Sequence, residues 1–534
     1  MTTFELSTLL VTLLPMASSP PDTVPLYDDL GDHHYTITTS VPLAQQYFDQ
    51  GLRLTYAFNH AEAIRAFGEA ARLDPDCAIC YWGIALAYGP NINAPMDSTS
   101  GVAAHAAVQE ALARAAGASE RERALIDALA TRYAANPPAA RAALDSAYAR
   151  AMGEVVERYP DDLDARSLYA ESMMDLRPWN YWTPEGEPYP GTEEIVELLE
   201  GVVAENPDHP GACHFYIHAV EAVDPEKAVA CAERLAGLMP GAGHIVHMPA
   251  HIYIRVGRYG DAIDSNIHAV HTDETYIADQ GPPAGIYPGF YYPHNYHFLS
   301  FASTLAGRSQ AAIDAARPAA EKMPLEIARM VPDGERLRVH PHLVLATFGR
   351  WEEVLSEPAP PSDLRLATGL VHYTRGIALA ATGRADEAAA ALDSVRAIAE
   401  ATDPDAGWPK TVLEIATHSL MGEIAARQGR LDEAIGHLEV AVELEDGLTY
   451  TEPPYWHHPM RHALGAILLE AGRATDAERI YREDLERFPE NGWSLHGLAA
   501  SLRAQGEAAA ADEVEARQRA AWEGADVTLT ASRF

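Results

Sequence analysis

The sequence predicts an all-α protein in which antiparallel helix pairs stack into a solenoid. Three observations support this prediction. The segments GRYGDAI (257–263), GRADEAA (383–389), GRLDEAI (429–435) and GRATDAE (472–478) are near-copies, and each lies between two stretches of helical periodicity. Small residues recur at the spacing at which the two helices of a pair would touch. The 534 residues also exceed the size of one compact core, whereas a repeat array can extend by stacking further units.

The repeat keeps one pattern along the chain. It has a small residue at position 8, glycine near 15, alanine at 20, a larger apolar residue at 24 and often proline at 32, which resembles the tetratricopeptide (TPR) repeat, a helix–turn–helix of about 34 residues. The best copies contain Gly51, Ala63, Phe67, Ala70 and Pro75; Ala250, Tyr253, Gly257, Tyr259 and Ala262; Gly307, Ala312, Ala316 and Pro324; and Gly465, Gly472, Ala477, Tyr481 and Pro489. Further copies start near Gly369 and Ile415.

This resemblance implies a TPR-type α-α superhelix. The strings YFDQGLRLTYAFNHAEAIRAF, HFYIHAVEA, AGHIVHMPAHIYIRVGRY and YPHNYHFL also resemble a group of bacterial TPR proteins with His-rich repeats. The resemblance implies no activity. It does imply that the FNH and GPNIN strings belong to the same architecture, which makes Asn59, His60, Asn91 and Asn93 second-rank site candidates.

The repeats and their interruptions predict a division of the chain into five parts. These are an N-terminal segment that is disordered or a weak signal peptide (1–30), an N-terminal TPR and helical region (31–205), central His-rich repeats (206–330), C-terminal repeats (331–520) and a tail (521–534). Two loops rich in proline, glycine and aromatic residues, 176–191 and 279–293, cannot continue a helix. They suit a lid or wall beside a groove, or are surface insertions that pack on the array.

The acidic composition argues against several partners. With 77 acidic and 39 basic residues, the formal net charge is −38, so we expect no binding to nucleic acid or to anionic membrane surfaces. No apolar run reaches the roughly 18 residues of a membrane span. The start of the chain has a short apolar run but carries Glu5 where a signal peptide has basic residues. We therefore predict a cytoplasmic protein, with export to the periplasm through a weak N-terminal signal as the alternative.

Four cysteines are too few for a disulfide scaffold. Cys77 and Cys80 are interpreted as two small core residues at the start of a helix. A metal-binding or redox-active pair is the alternative.

Histidines gather on successive helix faces of the central repeats. In GACHFYIHAVEAV (211–223), His214, His218 and Glu221 stand at i, i+4 and i+7, which is one face of a helix. In TPR proteins, positions 2, 5, 9 and 13 of the first helix line the concave groove. The repeat that starts at Gly243 places His244, His247, His251 and Arg255 at these positions, and the next repeat places His294 and His297 at positions 2 and 5.

Neutral imidazole and carboxylate are the ligands that divalent transition metals prefer. We therefore predict a metal site formed by His214, His218, Glu221, His244, His247, His251, His294 and His297, with Zn, Cu, Fe, Ni and Mn all open. Glu221 is a candidate ligand or general base, and Arg255 is a candidate for orienting a substrate. The remaining histidines are interpreted as core or surface residues.

Two functions follow from this pattern. The first is a TPR metalloprotein, whose enzymatic form would be a metal-dependent hydrolase or oxidase acting on a small-molecule or peptide substrate. The second is a non-enzymatic TPR scaffold that binds a peptide or protein in its groove. Such grooves hold carboxylates with Lys, Arg and Asn, whereas this one offers histidine, which favours the metal.

Overall fold

The computed structural model describes residues 24–282 and 285–534, and the regular secondary structure in these ranges is helical, with no β-strand. The first half contains α1 (Pro42–Tyr56), α2 (His60–Leu73), α3 (Ala78–Ala87), α4 (Ser98–Arg114), α5 (Glu120–Ala130), α6 (Ala142–Arg158), α7 (Leu163–Met174), α8 (Thr192–Glu205), α9 (Pro210–Val220), α10 (Val229–Leu238), α11 (Gly243–His247), α12 (Pro249–Arg255) and α13 (Tyr259–Gln280).

The second half continues the array of antiparallel helix pairs. It contains α14 (Tyr292–Leu305), α15 (Ser309–Lys322), α16 (Leu325–Met330), α17 (Pro332–Thr347), α18 (Trp351–Ser356), α19 (Arg365–Ala381), α20 (Ala385–Ala401), α21 (Trp408–Arg427), α22 (Leu431–Asp446), α23 (Met460–Glu470), α24 (Ala474–Arg487), α25 (Gly492–Ala504) and α26 (Ala508–Ala521). The fold is a TPR-type helical solenoid, as the repeat pattern predicts.

The turn between the two helices of a repeat requires a left-handed residue. Gly257, Gly307 and Gly472 occupy it with φ of 77°, 68° and 75°, where glycine has no steric penalty. In the first repeat Phe58 takes the same conformation at φ 54°. The Phe58 ring lies 4.5 Å from the ring of His214. A side chain that contacts the candidate site thus occupies this turn, although its left-handed backbone conformation is less favourable than that of glycine.

Small residues let the paired helices approach closely. Ala250 and Ala262, at positions 8 and 20 of their repeat, are fully buried, as predicted. A Cβ added to Gly51 would lie 2.6 Å from the Phe67 ring. The small residue at position 8 therefore makes room for the large one at position 24.

One apolar core runs from Leu30 to Ala306, across the predicted division at residue 205, and a second runs from Met323 to Val514. That division therefore separates repeats by type rather than by core. No described helix is long and apolar enough to cross a bilayer. The predicted signal segment lies almost entirely in residues 1–23, outside the described part of the chain.

The C-terminal end of the array folds back on the central repeats. The Tyr259 hydroxyl donates to the Pro489 carbonyl at 2.8 Å, and the Trp522 indole N–H donates to the Leu305 carbonyl at 2.9 Å. Beyond α26, the Asp526 carboxylate accepts the backbone N–H of Ser309 at 2.6 Å. The segment predicted as a tail, 521–534, is thus docked, and the array is closed along this side.

Two local predictions change in the structure. Residues 279–293 are not a loop throughout, because a wide helical turn, Tyr287–Tyr291, leads directly into α14. Pro288 is tolerated because it stands in a first turn, where backbone N–H groups lack helical partners. Cys77 and Cys80 are buried at the start of α3, as expected of core residues, but they are joined by a disulfide.

Candidate metal centre

Helix α9 presents two of the predicted ligands from a fully buried segment. Pro210 occupies its first turn, and the His209 side chain caps it by accepting the Ala212 N–H at 3.1 Å. His214 and His218 are one turn apart, with rings 5.0 Å between centroids. Glu221 ends the helix as its C-cap residue.

The next repeat supplies three more histidines from a helix that is divided in two. Pro249 lacks the N–H that would continue the ladder, so α11 ends at His247 and α12 begins after Met248. The division does not separate the rings, since His247 and His251 lie 4.9 Å apart. From α14, His294 approaches to 5.0 Å from His247.

These side chains form two adjacent groups of three. We call His214, His218 and His244 the first histidine group, and His247, His251 and His294 the second histidine group. Within each group, one ligand atom per residue lies within 4.8 Å of the others. A third such set, His218, Glu221 and His251, joins the two groups. The groups touch where the rings of His218 and His251 are 5.2 Å apart.

His297 does not join either group. Its ring packs on His340, 4.5 Å away, and His340 in turn bonds the Ser300 hydroxyl through Nε2 at 3.0 Å. His297 follows His294 by three positions, about 60° around α14, and its ring faces His340 of α17 instead of the second histidine group.

Four rings are anchored through the same atom, Nδ1. The partners of Nδ1 are the Tyr56 carbonyl for His214 (2.6 Å), Glu221 for His218 (2.9 Å) and His251 (2.6 Å), and the Asn266 side-chain oxygen for His247 (2.8 Å). A carbonyl or carboxylate oxygen can only accept, so each Nδ1 carries the proton. Each Nε2 is then the unprotonated nitrogen that a metal needs.

The Nε2 atoms are buried and short of partners. Nε2 of His214 and of His218 has no hydrogen-bond partner among the described residues, nor has either ring nitrogen of His244. The Nε2 atoms of His247 and His251 face each other at 3.0 Å. When both rings are neutral these are two opposed lone pairs, and only a proton or a bound cation between them removes the repulsion.

Burial keeps the rings in the form that binds metal. It lowers the pKa of His214, His244, His247 and His294 well below the ordinary value, and neighbouring histidines lower it further. These four rings are therefore neutral at neutral pH.

Glu221 is the polar centre of the cluster. Burial alone would raise the pKa of Glu221, but the nearby His251 and the hydrogen bonds from His218 and His251 outweigh it and lower the pKa to about 2. Its two oxygens accept from one ring of each histidine group. The Tyr450 hydroxyl lies 3.3 Å from the oxygen that His251 also uses. The carboxylate is thus shared by both groups.

Arg255 donates its hydrogen bonds to backbone carbonyl groups. Its guanidinium nitrogens donate to the carbonyls of Glu221 (3.2 Å), Ala222 (3.3 Å) and Arg487 (3.0 Å). It therefore caps the end of α9 and ties it to the distant α24. Arg255 also lines the cavity described below, so its role in orienting a substrate stays a prediction.

The second-rank candidates lie around the centre rather than in it. Asn59 caps α2 by accepting the Glu62 N–H, and the pKa of His60 is lowered to about 4 by burial. Asn93 accepts the indole N–H of Trp179 at 3.0 Å, and the Trp179 ring lies 4.9 Å from His218. Asn93 therefore helps to position an aromatic wall beside the first histidine group.

A cavity of about 660 Å³ opens beside His218. One wall is the loop 176–191, which matches the lid-or-wall interpretation of that segment. The other wall is the loop 448–456, which belongs to the C-terminal repeats and is brought here by closure of the array. The floor includes Arg255 and Phe488.

Sequence reasoning missed three residues of this region: Asn266, Tyr450 and Glu452. Asn266 lies on the second helix of its repeat, where groove positions are not counted. Tyr450 and Glu452 lie in TYTEPPYW (449–456), which has the same proline-rich aromatic composition as the segments 176–191 and 279–293. That composition was the available signal, but the segment is 229 residues from Glu221 in the chain.

A further set, His33, Asp164 and His209, also has ligand atoms close together. Its geometry suits a hydrogen-bond network better than an ion. Nδ1 of His209 accepts a backbone N–H, so Nε2 holds the proton and points toward Asp164 at 3.5 Å. Asp164 also accepts from the Tyr56 hydroxyl at 2.6 Å, which links this network to the carbonyl that anchors His214.

Comparison with known proteins gives distant similarities. No known family description and no curated protein matches this chain. Similar solved structures include yeast Tom70 (12% identity, 89% of this chain and 91% of that chain, TM-score 0.30), the human IFIT1 dimer with m7Gppp-AAAA (11%, 94% and 96%, 0.33) and the APC/C hetero-tetramer Cut9–Hcn1 (11%, 90% and 73%, 0.30). The TPR-type fold therefore rests on this chain's own helix pairs, turns and small-residue contacts.

Proposed function

We propose that this protein is a TPR-type metalloprotein that holds transition-metal ions with the first and second histidine groups. The observation that supports this most is the orientation of the rings. Outward hydrogen bonds fix Nδ1 in His214, His218, His247 and His251. The Nε2 atoms of the first two have no partner among the described residues, and those of the last two face only each other.

The energetics favour an occupied site. Each buried nitrogen left unpaired costs about 1–3 kcal/mol, and the first histidine group alone contains four such atoms. Two nitrogens bound to one tetrahedral ion at about 2.0–2.1 Å would lie about 3.3 Å apart, close to the 3.0 Å between Nε2 of His247 and His251. A bound ion would thus replace an unfavourable arrangement with coordinate bonds.

Two ions fit the geometry better than one. Six histidines exceed the needs of a single ion, and the rings fall into two sets of three. An all-imidazole donor set suits Zn, Cu, Fe and Ni, while Mn prefers oxygen ligands. In this proposal Glu221 orients one ring of each set and raises its basicity, rather than binding metal itself. The cavity beside His218 would admit a small-molecule substrate, as a metal-dependent enzyme requires.

The alternative function is a scaffold that binds a peptide or protein in the groove. It needs accessible groove positions, but His244, His247 and His251 at positions 2, 5 and 9 are at most 1% exposed. Burial of these positions supports the metal site instead. A peptide ligand would have to bind elsewhere, and the acidic surface still argues against nucleic acid.

The test is elemental analysis of protein purified without a His tag, after incubation with each candidate metal and removal of excess. We expect about two ions per chain. The matched control is His458→Gln with His462→Gln, which removes one half-buried and one buried histidine outside both groups and should keep the full metal content. Metal-free wild-type protein under all loading conditions would refute the proposal.

A further inference from the structure

We propose that the cavity beside His218 binds a small organic cation, a protonated amine with an aromatic body, and that Glu452 receives its ammonium group. The inference deepens the proposed function by naming a ligand class for the space next to the metal centre. The inference rests on the proposed function only where it places the ligand next to the metal ions. Recognition of the ligand uses residues outside both histidine groups.

Glu452 is a buried acid with a free oxygen. The residue is 4% exposed and lines the cavity. Its Oε1 atom accepts the Tyr450 hydroxyl at 3.0 Å, while Oε2 has no hydrogen-bond partner among the described residues. An acceptor of this kind is costly to bury unless a donor is supplied from outside the chain.

Counted with every carboxyl group ionised, the side chains around the cavity have a negative excess, although burial raises the pKa of Glu445 and of Glu452 to about 7. Five carboxylates line it (Glu445, Asp446, Glu452, Glu483 and Glu486) against three arginines (Arg255, Arg461 and Arg487). Arg461 donates twice to Asp446 at 2.7 Å, and Arg487 donates to the same carboxylate at 2.7 Å. Arg255 is held by three backbone carbonyls. The arginines are therefore engaged, whereas Glu452 is free to meet a cation.

The walls suit the body of such a ligand. Trp179, Trp182 and Trp456 line the cavity, and tryptophan is the strongest of the side chains that bind cations through the ring face. Trp179 and Trp182 are held in place through their indole N–H groups, which donate to Asn93 and to the Ala219 carbonyl. A volume of about 660 Å³ lies within the usual range for small-molecule sites, about 300–1,000 Å³.

The protonation of Glu452 fits a cation of this kind. Burial raises the pKa of Glu452 to about 7, with Arg255 opposing the rise and Glu221 adding to it. A cation placed against Oε2 would favour the charged form, so amine binding should release a proton when the free protein starts protonated.

The test is isothermal titration calorimetry with three matched probes: 2-phenylethylamine, the neutral 2-phenylethanol and the anionic 3-phenylpropanoate. We expect the amine to bind at least about tenfold more tightly than either analogue, the preference that one charge-assisted hydrogen bond provides. Glu452→Gln should remove that preference. The matched control Glu486→Gln changes an exposed carboxylate of the same cavity and should alter amine affinity less than about threefold.

Each titration is run on metal-loaded and chelator-treated protein, with metal content measured for every variant. Amine binding that survives chelation and depends on Glu452 supports the inference even if the metal proposal fails. Tighter binding of the alcohol or the acid, equal binding by Glu452→Gln, or no binding of any probe overturns it. The comparison of the three probes on wild-type protein decides the matter even if Glu452→Gln does not fold.

Discussion

Two regions of this protein bury several histidines, and they differ in where the free nitrogens point. In the C-terminal histidine chain, which we define as His458, His462 and Asp484, the members bond one another in a row, and Nδ1 of His458 is the one ring nitrogen of the chain without a partner among the described residues. Nε2 of His458 meets Nδ1 of His462 at 3.1 Å, and Nε2 of His462 meets Asp484 at 2.8 Å. In the central groups the bonds run outward and the free nitrogens converge.

The difference shows that neither burial nor the number of histidines defines a ligand site. Most of these side chains are buried in both regions, with His294 and His458 half-buried. What distinguishes the central one is a set of oxygen acceptors placed behind the rings, namely the Tyr56 carbonyl, Glu221 and Asn266. These acceptors decide which nitrogen is free and which way it faces.

We expect the largest effect on the central region from the double variant His247→Ala, His251→Ala. The change removes two Nε2 ligands and also one of the two rings that hold Glu221, which loosens His218 in the first histidine group. We expect metal content to fall from about two ions per chain to below one, while far-ultraviolet circular dichroism stays helical. Elemental analysis of the tag-free variant measures the first quantity, and full metal content in this variant would remove the proposed centre.

Glu221→Gln separates positioning from ligation. The amide accepts through one oxygen only and faces a ring N–H with its own N–H₂, so it cannot orient His218 and His251 together. We expect metal affinity to fall by about 10–100-fold, the usual effect of losing such a partner, with the number of ions per chain unchanged at saturation. Competition titration with a chelator measures the affinity. Loss of one whole ion at saturating metal would instead make Glu221 a ligand.

A matched pair of packing variants compares the repeats that carry the two regions. Ala262 and Ala477 both stand at position 20 and both are fully buried. Enlarging either to leucine should lower the free energy of unfolding by about 1–3 kcal/mol through overpacking, measured by urea denaturation. Ala262→Leu should also lower metal affinity, because α13 carries Asn266, whereas Ala477→Leu should not. Equal metal affinities in the two variants would show that the centre tolerates movement of α13.

The smallest expected effect is on the stability of the C-terminal histidine chain at acid pH. Burial opposes the charged form of Asp484, but His462, Ser494 and Asn491 outweigh it and lower the pKa below its ordinary value of 3.8. A depressed pKa contributes stability that is present above the unfolded-state value and is lost as the pH falls below it. Urea unfolding between about pH 5 and pH 3 should therefore show a smaller loss for Asp484→Asn than for wild type. Parallel losses in the two proteins would contradict this.

The sequence predicts the fold well because the solenoid is local. Each turn glycine, such as Gly257 or Gly472, and each small residue, such as Ala262, acts within its own repeat or the next. Prediction failed at residues 287–293, where composition indicated a loop. The actual outcome depended on whether Pro288 fell inside a helix or in its first turn, and composition does not report that.

The candidate site could be predicted only in part. Helical spacing identifies the rings that share a face, so His214 with His218 and His247 with His251 emerge from the sequence. Helical spacing does not identify the residue that accepts the hydrogen bond from each ring. Tyr56 and Tyr450 are distant in the chain: Tyr56 reaches the centre because α1 packs on α9, and Tyr450 reaches it through the closure of the array. For the same reason Arg255 looks available in the sequence, although the structure engages it with the carbonyl of Arg487.

The contact of Trp522 with Gly307 and the hydrogen bonds that Asp526 accepts from the start of α15 fix the number of repeats between them. A Cβ on Gly307 would lie 2.8 Å from the Trp522 ring, so the fit admits no shift of register. Open solenoids gain or lose a unit by duplication with little disturbance to the rest. Here one extra unit between residues 310 and 480 would carry Tyr450 and Glu452 away from the histidines. Related sequences can therefore differ in surface residues and in loops. A repeat duplicated within the closed part of the array would separate the residues of the candidate centre.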